Sequence, residues 1–245
     1  MDKKVVLVTG SSIGLGSSII EEYAKNNYNV VINYLSHEKE AIDLKKYIEK
    51  TYKVKALCIK ANITNEEEIK DMFNQIINEF NRIDVLVNNA GIAIDSSFSD
   101  KTKDNFMKIL EVNLVGTFLV SRIFGNYMFE NKNGSIINIS SNNAINAYYE
   151  YSLDYDASKA GVINLTHNLA KYYAPHVRVN TICPGWINTP MNKDMDKEFK
   201  FKEENKILLR RFANPNEIAS FIYQMSENTY LNDSIITLDG GVNNE

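Results

Sequence analysis

Residue types that mark special classes of protein are scarce in this chain of 245 residues, which has two cysteines and three histidines. Cys58 and Cys183 lie far apart in apolar runs, so we expect buried free thiols and neither a disulfide nor a metal site. The histidines, His37, His167 and His176, match neither a zinc-binding pattern nor a Ser/His/Asp pattern. The sequence therefore predicts no metal site and no hydrolytic triad.

Long apolar runs and blocks of one charge sign are also missing. No window holds the roughly 18 apolar residues that a membrane-spanning helix needs, and the apolar run at residues 5–8 is too short for a secretory signal. The net charge is -4 and the lysines and glutamates are scattered, which gives no basic patch for nucleic acid or an anionic membrane. We therefore expect a cytoplasmic protein that binds neither nucleic acid nor membrane.

Short apolar, β-branched runs alternate with longer segments of helical period. The predicted strands are residues 4–9, 30–33, 53–59, 83–87, 135–139, 177–182 and 234–238. The predicted helices are residues 14–25, 39–52, 64–80, 104–129, 155–172 and 215–225. This alternation predicts an α/β fold, a doubly wound parallel sheet (Rossmann fold) of about seven strands with helices on both faces.

Segment boundaries give three further expectations. The chain has no linker rich in proline, glycine or serine, so residues 1–245 are expected to form one domain. The charged segment 191–206 interrupts the alternation and is a candidate substrate lid. At the start of the third helix, Thr64 and Glu67 have the spacing of a capping box, in which Thr64 would be the cap.

Glycines follow the first strand where the first helix begins. Gly10, Gly14 and Gly16 have the spacing G-x-x-x-G-x-G. Glycines let a pyrophosphate approach backbone N–H groups at a helix N-terminus, where the helix dipole favours an anion. The motif is neither G-x-G-x-x-G nor a P-loop, and a glycine-rich turn without a ligand could have the same residues. Its place between a strand and a helix favours dinucleotide binding.

The sequence Asn88-Asn89-Ala90-Gly91 directly follows the fourth strand. Ligands of open parallel sheets lie beyond the carboxyl ends of the strands, so this turn can contact the same molecule as the glycine loop. Asparagine and glycine also favour ordinary turns, so the motif alone says little.

Tyr155 and Lys159 are four residues apart, which places them on one face of a helix. Ser141 ends the preceding strand, and Asn113 lies in the helical region before it. Hydride transfer to a carbonyl leaves an alkoxide that needs a proton, and a free tyrosine has a pKa of about 10. A nearby ammonium could lower this pKa by roughly three units at most, towards the range in which a general acid/base works best. The serine hydroxyl could hold the substrate oxygen.

An ordered set of motifs thus runs along the chain: Thr9-Gly10-x-x-x-Gly14-x-Gly16, Asn88-Asn89-Ala90-Gly91, Asn113, Ser141, Tyr155-x-x-x-Lys159 and Pro184-Gly185. In this order and near these spacings, the set resembles the short-chain dehydrogenase/reductase family over essentially the whole chain. The resemblance implies a Rossmann-fold oxidoreductase with NAD(P) as cofactor, acting on a small carbonyl or alcohol substrate. Family members are commonly homotetramers, built here through helices at about residues 104–129 and 155–172.

The resemblance also implies roles for individual residues. Tyr155 would be the acid/base, Lys159 would lower its pKa and hold the cofactor ribose, and Ser141 would bind the substrate oxygen. Asn113 would anchor a water in a proton relay, and Thr189 would face the nicotinamide carboxamide. The full set of cofactor contacts that the resemblance implies is Gly10, Ser12, Ile13, Gly14, Gly16, Asn33, Tyr34, Asn62, Ile63, Asn89, Ala90, Gly91, Tyr155, Lys159, Pro184, Gly185, Ile187 and Thr189.

Within the family the chain looks most like bacterial 3-oxoacyl-acyl-carrier-protein reductases, which implies an acyl thioester substrate. Several departures count against carrying that substrate over. Ser141 is one residue farther from Tyr155 than expected, so Asn142 stands at the usual distance. The stretch Asn142–Asp154, with Tyr148, Tyr149 and Tyr151, replaces a small, glycine-rich segment, and no basic docking residue is evident around Ala174-Pro175. Asn62 replaces an adenine-contacting aspartate.

The end of the second strand bears on the choice of cofactor. An acidic residue there would bind the ribose 2′-hydroxyl and repel a 2′-phosphate. This chain has Asn33-Tyr34, with Ser36, His37 and Lys39 just beyond, which favours NADP(H) over NAD(H). The glycine loop has Ile13, however, where NADP-preferring relatives often carry a basic residue.

Three functions remain open from the sequence. The first is an NADP(H)-dependent carbonyl reductase, and the second is an NAD(P)+-dependent alcohol or polyol dehydrogenase that uses the same residues in reverse. The third is a dinucleotide-binding scaffold without turnover, against which the set of Asn113, Ser141, Tyr155 and Lys159 argues.

Overall fold

The computed structural model describes residues 3–145, 149–192 and 195–242. Tyr148 and residues 193–194 of the candidate lid lie outside these ranges. The described part contains one sheet of seven parallel strands in the order β3-β2-β1-β4-β5-β6-β7. The expected doubly wound parallel sheet is confirmed.

The elements alternate along the chain as predicted, with end residues that differ by up to three positions, and one further helix, Lys197–Lys206, lies within the segment that was expected only to interrupt the alternation. The strands are β1 Val5–Val8, β2 Asn29–Tyr34, β3 Ala56–Lys60, β4 Val85–Asn88, β5 Gly134–Ile139, β6 Val177–Pro184 and β7 Ile235–Leu238. The α-helices are α1 Gly14–Lys25, α2 Glu38–Tyr52, α3 Glu66–Phe80, α4 Lys103–Leu110, α5 Thr117–Glu130, α6 Leu153–Tyr173, α7 Lys197–Lys206 and α8 Pro215–Glu227.

Strand β1 shows why the sheet is covered on both faces. All four of its residues are buried, and successive side chains point to opposite faces. Val6 and Val8 join a core cluster with Ile19 of α1 and Ile222 of α8. The alternate residues of β1 join a second cluster on the other face, with side chains of α3, α5 and α6. An apolar run without polar alternation therefore belongs to a central strand between two helical layers.

The strand order reverses between β1 and β4. From β1 the chain moves outward through β2 to β3, and from β4 it moves the other way through β5 and β6 to β7. The loops after β1 and β4 therefore leave the sheet in opposite directions, which opens a crevice at the carboxyl ends of these strands. Both glycine-containing motifs lie at this crevice.

Two local predictions are corrected by the structure. The helical region predicted at residues 104–129 is interrupted by one π-helical stretch, Glu111–Gly116, between α4 and α5. The cap of α3 is Asn65, whose side chain accepts hydrogen bonds from the backbone N–H groups of Glu67 and Glu68, and not Thr64. Thr64 instead directs its hydroxyl to the side-chain oxygen of Asn62.

Within the candidate lid, a short 3-10 helix at Pro190–Asn192 is followed by α7, which Asp196 caps through its side chain. Among the described residues, no helix is both long enough and apolar enough to span a bilayer.

Candidate active site

The glycine loop after β1 packs closely on the loop after β4. Gly10 has φ of +59°, and a Cβ atom there would lie 2.9 Å from Cα of Ala90. A Cβ atom on Gly16 would lie 2.6 Å from the carbonyl oxygen of Gly10. Both positions therefore exclude any side chain, the first also because its φ is unfavourable for L-residues.

Thr9 and Asn89 join the same two loops by hydrogen bonds. The Thr9 hydroxyl accepts from the backbone N–H groups of Asn89 and Ala90, each at 3.0 Å. The Asn89 amide donates to the carbonyls of Thr9 at 2.9 Å and Gly10 at 3.0 Å. Asn89 and Ala90 thus lie directly beside the glycine loop.

The start of α1 has the features of an anion site. Its N-cap residue, Ile13, makes no side-chain cap hydrogen bond, and Ser12 before it is buried. The first N–H groups of a helix have no partner within the helix. A Cβ atom on Gly14, which has φ of +64°, would be in ordinary contact with Pro190 at 3.7 Å and Thr189 at 3.8 Å, so the segment after β6 lies next to this helix start. This glycine-lined helix start therefore fits a pyrophosphate.

Asn33 and Tyr34, at the end of β2, are both buried. The Asn33 side-chain oxygen accepts from the backbone N–H of Gly10 at 3.1 Å, and its amide donates to the carbonyl of Ala61 at 3.0 Å. The Tyr34 hydroxyl donates to Glu38 at 3.2 Å. Residues 35–37, by contrast, are exposed at the rim of the crevice.

Asn62 and Ile63 follow β3 at the same edge of the sheet. The side-chain oxygen of Asn62 accepts from the backbone N–H of Thr64 at 3.0 Å, which closes a local turn. Ile63 is buried against Gly116, where a Cβ atom would lie 2.7 Å from Cδ1 of Ile63. The turn after β3 is therefore packed against the π-helical stretch.

The segment after β6 closes the crevice from the far side. Pro184 ends β6, and a Cβ atom on Gly185 would lie 2.8 Å from Cβ of Asp239. Ile187 forms an isolated bridge with Ala213. Thr189, whose backbone N–H donates to the carbonyl of Ile187 at 2.9 Å, reaches the glycine loop at Gly14.

Asn113 is buried in the π-helical stretch. Its side-chain oxygen accepts from the N–H of Ile92 at 2.8 Å, and its amide donates to the carbonyl of Ile92 at 2.9 Å. The amide also donates to the Ser158 hydroxyl at 3.1 Å, and Ser158 donates to the carbonyl of Tyr155 at 2.6 Å. Asn113 thus fastens the loop after β4 to α6. Single-turn π-helical insertions are frequent at functional sites.

Tyr155 and Ser141 are brought together although 13 residues separate them in the chain. The Ser141 hydroxyl lies close enough to Tyr155 to lower the pKa of its phenol, and Ser141 Oγ accepts from the backbone N–H of Asn143 at 3.2 Å. Asn142, the alternative at the usual spacing, begins the 3-10 helix Asn142–Ala144. The structure therefore pairs Tyr155 with Ser141.

Lys159 lies beneath the Tyr155 ring. Its Nζ is 5.5 Å from the ring centroid and donates to the carbonyl of Ile139 at 2.8 Å. Gly91 faces this group, because a Cβ atom there would lie 3.2 Å from Oδ1 of Asn113 and 3.4 Å from Nζ of Lys159. Asn113, Tyr155, Lys159 and the turn after β4 therefore meet at one place.

The pKa of Tyr155 beside Lys159 differs from the value expected from the sequence. Burial raises the pKa of Tyr155 to about 12, and the hydrogen bond from Ser141 only partly offsets it. Burial also lowers the pKa of Lys159 to about 8. Lys159 does not bring the Tyr155 pKa near 7 in the protein alone, because desolvation opposes both charged forms. A dinucleotide bound here would bring the oxidised nicotinamide's positive charge close to the phenol.

Sequence reasoning missed Ser158, which connects Asn113 to Tyr155. Its position three residues after Tyr155 carries no recognisable signal, because the contact with Asn113 spans 45 residues of sequence. The two cysteines are both free: Cys183 is buried, as expected, whereas Cys58 is only partly buried.

The fold and this site define a class, the oxidoreductases that bind a nicotinamide dinucleotide across a Rossmann sheet. Residues 4–200 match the family described as short chain dehydrogenase, and the chain belongs to that family. The resemblance drawn from the motifs is thereby confirmed.

Individual relatives cover almost the full length. The 3-oxoacyl-[acyl-carrier-protein] reductase FabG of Aquifex aeolicus is 37% identical over 242 residues, which is 98% of this chain and 97% of the relative. Glucose 1-dehydrogenase 2 of Bacillus subtilis is 32% identical over 245 residues, 98% of this chain and 94% of the relative. The solved structure of ElxO with NADP bound has a TM-score of 0.90 at 28% identity, covering 97% of this chain and 98% of ElxO.

Proposed function

We propose that this oxidoreductase is an NADP(H)-dependent reductase that converts a carbonyl to a secondary alcohol. The observation that carries the proposal is the convergence of Ser141, Tyr155, Lys159 and Asn113 beside the glycine loop. These side chains supply a hydroxyl, a phenol, an ammonium and an amide, the groups that protonation of a developing alkoxide requires.

The proposed steps follow from the chemistry of these groups. NADPH, when bound, supplies the hydride. Ser141 donates a hydrogen bond to the carbonyl oxygen and stabilises the negative charge that develops there. Tyr155 gives its phenolic proton to the same oxygen, acting as general acid. The Lys159 ammonium, which its pKa of about 8 leaves mostly protonated at neutral pH, stabilises the phenolate that remains. Asn113 fixes the backbone around Ile92 and holds α6 through Ser158.

The glycine loop and its neighbours are the proposed cofactor contacts. The uncapped start of α1 would hold the pyrophosphate, and Asn62 and Ile63 would lie near the adenine. Thr189, across from Gly14, would contact the nicotinamide carboxamide. Asn33 would act through its hydrogen bond to Gly10, because its own polar atoms are already paired.

NADP(H) is the proposed preference over NAD(H). The end of β2 lacks a carboxylate at Asn33 and Tyr34, and the exposed residues 35–37 leave room at the rim for a 2′-phosphate. Glu38, the nearest carboxylate along the chain, accepts the hydrogen bond of Tyr34. The similar ElxO structure contains NADP.

Two substrate classes are supported by different relatives. The 37% identity to a 3-oxoacyl-[acyl-carrier-protein] reductase favours a 3-oxoacyl thioester. The 32% identity to a glucose dehydrogenase favours the second candidate, oxidation of an alcohol or polyol. The wall formed by Tyr149, Trp186 and Phe199, whose ring centroids lie 6.0 to 6.5 Å apart, is the proposed specificity surface, with α7 as the lid.

A homotetramer is the proposed assembly. Apolar side chains on α4, the π-helical stretch, α5 and α6 are exposed in the single chain: Met107, Val115, Phe118, Phe129 and Tyr172. Exposed apolar surface of this kind is typical of interfaces between subunits. The mass of the protein in solution tests this assembly.

A substrate panel tests the function. NADPH oxidation is followed by absorbance with an acetoacetyl thioester, sugars, simple ketones and aldehydes, and NADP+ reduction is followed with alcohols and polyols. Fast turnover of the thioester supports the reductase, and preferential turnover of a polyol supports the dehydrogenase. If NADPH binds but no compound in the panel turns over, the scaffold without catalysis becomes the better explanation.

A further inference from the structure

A buried ion pair lies directly beside the proposed acid/base. Nζ of Lys101 is 3.0 Å from Oδ1 of Asp154, and the two side chains are 4% and 0% exposed. Burying an ammonium and a carboxylate is costly unless both are well paired. Asp154 precedes Tyr155 in the first turn of α6, so this pair acts on the helix that carries the proposed acid/base.

Lys101 joins three segments of the chain. Besides Asp154, its ammonium donates to the carbonyl of Ile94 at 2.8 Å, in the loop after β4, and to the carbonyl of Tyr151 at 3.2 Å, before α6. The Tyr151 carbonyl also accepts from the N–H of Ser96 at 3.2 Å. All three ammonium protons of Lys101 therefore have acceptors, one in each segment.

Asp154 links Lys101 to the backbone of Tyr155. Its Oδ1, which binds Lys101, also accepts the backbone N–H of Tyr155 at 2.9 Å. Its other oxygen, Oδ2, is buried and has no hydrogen-bond partner among the described residues. The carboxylate is thus held mainly through one oxygen, which contacts both Lys101 and Tyr155.

The surrounding charge is otherwise negative. Burial raises the pKa of Asp95 and of Asp156, and the charge of Asp154 adds to the rise in both. The positive charge of Lys101 instead acts to lower the pKa of Asp95. Without this ammonium, the charge of Asp154 would act on Asp95 and Asp156 with no positive charge of Lys101 to oppose it.

We propose that Lys101 is a positioning residue, which balances the charge of Asp154 and so keeps the first turn of α6, with Tyr155, in its place against Ser141. The inference rests on the proposed function, in which Tyr155 transfers the proton. Lys101 touches neither substrate nor cofactor in this proposal and acts through Asp154.

The test compares the Lys101→Met and Asp154→Asn variants with the double variant Lys101→Met/Asp154→Asn. Lys55→Met is the matched control, because Lys55 forms an exposed ion pair with Glu79 at 2.9 Å, away from the site. Each full-length protein is assayed for kcat and KM with the best substrate of the panel, below its melting temperature. Asparagine at position 154 keeps an oxygen for the Tyr155 N–H without the charge.

We expect Lys101→Met to lower kcat at least tenfold with KM changed less than threefold, and the double variant to recover most of the loss. The pH midpoint of alcohol oxidation should rise in Lys101→Met and return in the double variant, because a lone carboxylate disfavours the phenolate. The other groups that face the phenol, Ser141, Asp156, Cys183 and Lys159, are the same in every variant.

A kcat within twofold of wild type in Lys101→Met, or a double variant as slow as the single one, would overturn the inference. If Lys101→Met does not fold, the double variant, which buries no lone charge, decides: a kcat within fivefold of wild type supports the inference, and a larger loss overturns it. The Tyr155→Phe variant distinguishes failure of the proposed function from failure of the Lys101 inference. Normal turnover of Tyr155→Phe would refute the proposed function. An inactive Tyr155→Phe together with an unaffected Lys101→Met would refute only the role of Lys101.

Discussion

The side-chain oxygen of Asn33 accepts a hydrogen bond from the backbone N–H of Gly10 at 3.1 Å. Asn33 is 2% exposed, and its amide binds the carbonyl of Ala61 at 3.0 Å. One side chain at the end of β2 therefore holds both the glycine loop and the turn after β3. The residue at the proposed cofactor-selecting position is therefore hydrogen-bonded to the loop that is proposed to receive the pyrophosphate.

Asn33→Ala should lower the free energy of unfolding by about 1–3 kcal/mol, because it leaves the partly buried N–H of Gly10 and the buried carbonyl of Ala61 without the Asn33 side chain as partner. It should also weaken NADPH binding through the loosened glycine loop. Urea denaturation and a binding titration measure the two effects. Asn29→Ala is the control at the start of β2, where the side chain accepts an exposed hydrogen bond from Lys55, and its cost should stay near 0.5 kcal/mol. An equal loss of unfolding free energy in Asn33→Ala and Asn29→Ala would contradict the role of Asn33 in joining the glycine loop to the turn after β3.

Tyr155→Phe should reduce turnover by roughly 100- to 10,000-fold, because the general acid is lost while the ring and its packing remain. NADPH binding, measured by fluorescence, should stay within a few-fold of wild type. Tyr151→Phe, which removes the hydroxyl of an exposed tyrosine, should remain active. Undiminished turnover of Tyr155→Phe would favour a different catalytic group.

Lys159 should make stability depend on pH above about pH 8. The pKa of this buried ammonium is about 8 in the folded protein and near 10.5 in an unfolded chain. Between these values the unfolded chain binds more protons, so the free energy of unfolding rises with pH. From about pH 7.5 to 9.5 the rise should be about 1–2 kcal/mol larger in wild type than in Lys159→Met. Parallel pH profiles of the two proteins would show that Lys159 titrates normally.

Leu35→Asp should shift cofactor preference towards NADH. Leu35 is 55% exposed just after β2, and a carboxylate there would repel a 2′-phosphate. The ratio of kcat/KM with NADPH to that with NADH should exceed tenfold in wild type and fall at least tenfold in the variant. Leu35→Asn, with the same shape and no charge, should change the ratio far less. A wild-type preference for NADH would refute the proposed cofactor.

Much of the fold could be predicted from local pattern. The four-residue strand Val5–Val8 is apolar throughout, and this indicated a central strand with helices on both faces. Helix ends were less predictable: the sequence favoured Thr64 as the cap of α3, whereas the structure has Asn65 as the cap and Thr64 hydrogen-bonded to Asn62. The π-helical stretch that carries Asn113 was not predicted from the sequence, and neither were the hydrogen bonds of Asn113 to Ile92, which is 21 residues away in the chain.

The sequence predicted that candidate residues would lie together, but it did not predict their electrostatics. The spacing of Tyr155 and Lys159 placed both on one helix face, as the structure has them. The sequence favoured a strongly lowered tyrosine pKa, whereas burial raises it to about 12. Burial depends on every neighbour of the phenol, and those neighbours come from β5, β6 and α6 together.

The sequence by itself determined the order of strands and helices, the glycine turn at the first helix and the residues that could transfer a proton, because these follow from periodicity, backbone freedom and side-chain chemistry within short segments. The tertiary structure decided that Ser141 lies beside Tyr155, that the side-chain oxygen of Asn33 accepts a hydrogen bond from Gly10, and that Lys101 reaches Asp154 across 53 residues. Contacts between distant segments, and the desolvation they cause, arise only when the sheet brings the loops together.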